Sequence, residues 1–254
     1  MNPLLIIDVM RFELMRSRTL GRVAIWIILV MFPVSLITAL RFLESTADVQ
    51  AWGITLYFLV PEVLCLLGLL LWATPAISTE IEGQTWIYLA MRRSGRSMVL
   101  IGKYATAVLW TLSAALLSIT ACVVIMGPAG GAKLWLVMCT LAVLSCFAHA
   151  SLYVLIGAIF YRRTMVTAVL YTLVIEYGMS LVPALANKLT INYRLRGLLA
   201  DWMDWDEARS QAENVFGTEP AATHLLVLLA ITLALLGIAV FRLGHSEFPT
   251  QQEG

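Results

Sequence analysis

Six stretches of about twenty mostly apolar residues constrain this chain more than anything else in it. A bilayer's hydrocarbon core is about 30 Å thick and needs roughly 20 such residues at 1.5 Å rise. The runs cover approximately 23–40, 54–77, 104–126, 134–160, 165–186 and 225–241. They are too long and too unbroken for the alternating strands of a membrane barrel, so six transmembrane helices are expected. Composition points the same way: of 254 residues, 60% are hydrophobic and only 13% charged, about half the charged share of soluble domains. A net charge of +1 gives no reason to expect a nucleic-acid partner. Cys65, Cys122, Cys139 and Cys146 lie in apolar runs without metal-ligand or redox spacing and read as small core side chains.

Six crossings put both termini on one side. Arg11, Arg16, Arg18, Arg22, Arg92, Arg93, Arg96, Lys103, Arg162, Arg163 and Arg242 then share that side, leaving Arg41, Lys133, Lys188, Arg194, Arg196 and Arg209 opposite. The positive-inside rule therefore places both termini in the cytoplasm of a cell (inner or plasma) membrane. The first run ends in Thr38-Ala39-Leu40-Arg41 without a small-x-small cleavage signature and is expected to be a retained span.

The connections carry the remaining signals. Gly127-Pro128-Ala129-Gly130-Gly131 reads as a turn. Residues 187–224 form a longer outer connection, whose Trp202 and Trp205 suggest one or two short interfacial helices; the alternative is a solvated loop with anchoring aromatics. Residues 1–22 are expected to form an interfacial helix with an elbow at 17–21. Within 78–103, Glu80 and Glu82 precede a short helix at 86–91, and Arg92, Arg93 and Arg96 follow it. Acidic residues at a helix start and basic ones at its end suit the macrodipole. That does not account for Trp86, Ile87, Leu89 and Met91 outside the bilayer, which need a membrane surface or a partner's groove.

The order Glu80-Ile81-Glu82-Gly83-Gln84-Thr85, Leu89, Gly95-Arg96, Gly102-Lys103 resembles the cytoplasmic loop between the second and third spans of ABC-2 type transporter permeases. Glu13-Leu14 in a basic N-terminal helix, six spans and a long outer connection before the last one extend the likeness over most of the chain. Two positions depart from the family pattern: Arg93 stands where proline is usual, and Gln84 where glycine commonly precedes the threonine. The resemblance implies an all-α ABC-2/ABCG-like exporter transmembrane domain with an elbow helix and a cytoplasmic coupling helix. It also implies a coupling loop of Glu80, Glu82, Gly83, Thr85, Trp86, Leu89, Arg93, Arg96 and Lys103 that docks on a separate ATPase subunit. A second permease, identical or different, would complete the export path, and ATP and magnesium would sit on the partner.

No phosphate-cradling loop exists to power the chain from within, since Gly102-Lys103 is followed by Tyr104 rather than serine or threonine. Glu62, beside Pro61, and Glu176 lie inside apolar runs, where an ionised group costs about 2.5–3.5 kcal/mol at the centre of a helix. Each is read either as lining a substrate or proton path or as an interhelical hydrogen-bonding group, and His149 as a helix-to-helix partner. An ion-coupled secondary transporter or channel is the alternative function, but no correspondence between the two halves supports it. An intramembrane enzyme is a third; its candidate ligands Glu62, His149 and Glu176 are solitary, so no metal ligand set and no catalytic residue is assigned.

Overall fold

The helices follow from the apolar runs and from where the chain punctuates them. The computed structural model describes residues 3–43, 48–82, 95–128, 130–179, 185–210, 213, 215 and 217–245. Among these there is no strand. Helix α1 (Pro3–Ser17) turns at Arg18-Thr19 into α2 (Leu20–Leu43). Helix α3 runs through Val49–Tyr57, Phe58–Leu64 and Cys65–Trp72, followed by a 3₁₀ turn at Thr74–Ala76 and a helical turn at Ser78–Glu82. Then come α4 (Gly95–Met126), α5 (Gly131–Ile159), α6 (Thr164–Gly178), α7 (Ile191–Met203) and α8 (Ala221–His245).

Five helices among the described residues, of 24 to 32 residues, are long and apolar enough to cross a membrane. The predicted span at 165–186 appears in part as α6, an apolar helix of 15 residues, and a 3₁₀ segment is described at Leu185–Leu189. Two other boundaries shift. Helix α3 begins at Val49, straight after Asp48, and breaks before Pro75; α4 begins at Gly95, because its polar first turns pack along α1. The close approach there is explicit at Gly102, where a Cβ would lie 2.6 Å from Val9 Cγ1. In the turn joining α4 to α5, Gly127 (φ 56°) and Gly130 (φ 75°) take the left-handed backbone that other residues adopt at a cost.

Helix α5 is the hub, packing on α3, α4, α7 and α8, whereas α2 and α8 lie outermost and keep broad apolar faces uncovered. Proline shapes α3. Residues 58–64 around Pro61 form a π turn, and the Cys65 N–H reaches back to Val60 O. Where the α ladder resumes, the Pro61 carbonyl is passed over, and Ser145 Oγ on α5 donates to it at 2.6 Å. Directly beside this contact, Cys65 and Cys146 meet with sulfurs 3.6 Å apart.

In the connection before α8, one helix is packed into the bundle. Helix α7 does not lie flat at the periphery; Ile191 to Leu195 and Gly197 to Ala200 are buried, and the helix packs on α5 and α8. Its amphipathic pattern is read by protein rather than by a bilayer surface. At Gly197 a Cβ would fall 2.4 Å from the His224 ring on α8, and Trp205 is buried against Gly53 of α3.

Candidate functional site

Polar side chains collect in three layers along the bundle. The layer at the α1 end of the bundle, termed inner, joins α1, the end of α3's extension and the start of α4, and the layer at the opposite end is termed outer. Lys103 Nζ, 9% exposed, lies 2.6 Å from Glu80 Oε1 and 3.9 Å from Glu13 Oε1. Arg16 adds a contact to Glu80 at 3.3 Å from a side chain that is 55% exposed. Two charges this buried are held chiefly by each other's field, so losing one leaves the other only its weaker partner, at a cost of about 3 kcal/mol. Beneath them Trp110 Nε1 donates to Ser17 Oγ at 2.7 Å, Ser17 Oγ donates to Leu14 O, and Trp72 stacks on Trp110 with centroids 5.9 Å apart. Arg96 Nη1 donates to Gly244 O at 3.3 Å, fastening the start of α4 to the end of α8.

Glu80 and Lys103 thus flank the segment 83–94 and grip the same neighbour, α1, through Glu13 and Arg16. Of the coupling-loop residues, Glu80, Arg96 and Lys103 are placed; the Glu82 side chain, Gly83, Thr85, Trp86, Leu89 and Arg93 lie outside the described residues.

In the middle layer, His149 Nδ1 lies 3.0 Å from Ser145 O and 3.1 Å from Ser145 Oγ, so its hydrogen bonding stays mostly within α5. Tyr153 and Thr172 share a hydrogen bond of 2.7 Å between α5 and α6.

The outer layer contains both glutamates of the apolar runs, and each has a partner on α7. Glu62 Oε1 accepts from Arg196 Nη2 at 2.7 Å. Glu176 accepts from the backbone N–H groups of Ile191 (3.3 Å) and Asn192 (3.1 Å), so it caps the first turn of α7, whose N-terminal dipole favours an anion. Thr190 Oγ1 accepts from the Tyr193 N–H at the same end. Farther out, Lys188 Nζ (2.7 Å) and Arg194 Nη1 (2.5 Å) converge on Glu219. The donation from Lys188 holds the Glu219 carboxyl below the usual carboxylate range, against burial and with Arg194 assisting. A cleft of about 350 Å³ opens over Glu62 and Arg196, with Tyr57 and Phe58 on one wall and Glu207 and Arg209 on the other.

The sequence marks Glu80 together with its partner Lys103, but marks Glu62 and Glu176 without what they bind, and it does not mark the Lys188–Glu219 pair. Arg196 and Lys188 read there as ordinary connection charges, and Ser145, Thr172 and Ser17 as unremarkable small polar residues. Among the described residues no group of three or more His, Cys, Asp or Glu side chains converges to hold a metal.

Long apolar helices around buried polar layers define a multi-pass membrane protein of the all-α class. No protein-family model matches the chain, and no curated protein matches it.

Proposed function

We propose that the chain is the permease subunit of an ABC-2 type exporter, with α6 and the residues after it completing a sixth crossing and both termini cytoplasmic. It pairs with a second permease, identical or different, and a separate ATPase subunit drives it. The observation that carries this reading is the inner ion-pair layer. Glu80 and Lys103 hold both flanks of segment 83–94 and meet Glu13 and Arg16 of α1. A push on that segment by an ATPase would therefore be delivered together to α1, the inner end of α3 and α4. ATP binding can bias a transport path only through such a contact, because a conformational shift requires differential interaction with the moving part.

The pairing of Glu62 with Arg196 and the capping role of Glu176 give both glutamates structural work, which weakens the case for ion-coupled transport. Affinity purification from native membranes tests the proposal. The expected result is an ATPase subunit in the complex, whose hydrolysis falls out of step with export when Glu82 or Arg96 is replaced while the fold persists. Export driven by an ion gradient with no ATPase present overturns it.

A further inference from the structure

The turn between α5 and α6 holds charges that the inner layer does not use. Four residues, 160–163, reverse the chain between two apolar helices, and Thr167 Oγ1 donates to Arg163 O at 3.0 Å across the turn. A cleft of about 540 Å³ opens here, lined by Ile159, Phe160, Tyr161, Arg162, Arg163 and Thr167, with no carboxylate in its wall. The Arg162 guanidinium sits 5.8 Å from the Tyr161 ring centroid, and both arginines are exposed. Among the described residues neither forms an ion pair, whereas Lys103 of the inner layer is paired with Glu80 and Glu13. The turn lies at the same end of the bundle as that layer, since a Cβ on Gly157 would meet Thr74 O at 2.8 Å. In the cleft wall Phe160 is 50% exposed, and on α6, which starts at this turn and lends Thr167 to the wall, Val166 and Leu170, one helical turn apart, are 68% and 61% exposed.

Two uncompensated guanidiniums at a membrane boundary attract a phosphate, and Arg offers it paired donors. An apolar stripe running from the same cleft along a membrane helix selects a phosphate that carries an acyl chain over a soluble anion or an acidic peptide. We propose that this cleft binds the head group of an anionic membrane phospholipid through Arg162 and Arg163, with an acyl chain lying along Val166 and Leu170.

The test uses the full chain in a neutral detergent, with phosphatidylglycerol or phosphatidylcholine titrated and bound lipid counted by native mass spectrometry. Phosphatidylglycerol is expected to bind in preference, and the Arg162→Gln/Arg163→Gln pair to weaken it by roughly tenfold. An Arg18→Gln/Arg22→Gln pair, removing equal charge from the same side, is expected to leave it within about twofold. Equal loss in both pairs, or no preference for phosphatidylglycerol in the parent, overturns the site. Displacement of the lipid by millimolar inorganic phosphate overturns the lipid assignment. Should the arginine pair fail to insert, Val166→Ser/Leu170→Ser keeps every charge; unchanged phosphatidylglycerol binding in that variant overturns the proposal, and a severalfold loss supports it.

Discussion

Lys103 and Glu80 show how unevenly a charge pair contributes to a membrane protein. Both side chains are almost fully buried, so Lys103→Ala leaves Glu80 with the half-exposed Arg16 in place of its closest partner, and Glu80→Ala leaves Lys103 with Glu13 at 3.9 Å; each is expected to cost about 3 kcal/mol. The double replacement Glu80→Leu/Lys103→Met is expected to cost less than either single change, a non-additivity readable by thermal unfolding in detergent. Arg16, more than half exposed, is expected to contribute under about 1 kcal/mol. Glu176 is a sharper case. Glu176→Leu strands two buried N–H groups of α7 at about 1–3 kcal/mol each, whereas Glu176→Gln keeps an acceptor and is expected to be mild; hydrogen exchange at Ile191 and Asn192 reports the difference. At this scale the sequence discloses the problem but not its solution. A glutamate inside an apolar run announces that it needs a partner. Arg196, 134 positions from Glu62, is no different in local sequence from any loop arginine.

Among the elements, α7 departs most from its sequence reading. Its apolar face is as legible as that of an interfacial helix, and only the tertiary contact decides whether lipid or protein covers it. Gly197 is where that contact is tightest, so Gly197→Val is expected to drive His224 out of place and cost about 1–3 kcal/mol by overpacking. The ends of the outer segment add a dependence on acidity. Because the Glu219 carboxyl titrates below its usual range when folded, its contribution is fully present above the unfolded value of about 4.3. It is lost as pH falls through the lower folded value. Thermal unfolding followed from pH 7 down to 3 is expected to show a flatter acid limb for Glu219→Gln than for the parent. The long helices themselves were plain from hydropathy. Their ends were not, because the first turns of α4 are polar and gain their helical state by packing on α1 rather than by entering lipid.

For the whole molecule, the architecture is a central α5 on which α3, α4, α7 and α8 pack through one continuous apolar core, with ion pairs toward both ends. That all-helical, multi-pass plan was legible because runs too long and unbroken for barrel strands leave the helix as the way to satisfy their backbone amides in hydrocarbon. The inner and outer polar layers were not, since they join distant parts of the chain, Arg16 to Glu80 and Glu62 to Arg196. The π turn in α3 sets a last constraint on the molecule. One surplus residue between Phe58 and Leu64 swings everything after it by about 100° around the helix axis. That swing is what turns Gly68 toward Thr111 of α4, where a Cβ would find only 2.8 Å of room. Chain length there is accordingly as tightly specified as chemistry. Removing a single amino acid, however bland, would rotate a whole half-helix away from its mates, while most point replacements at the same positions leave its aim intact.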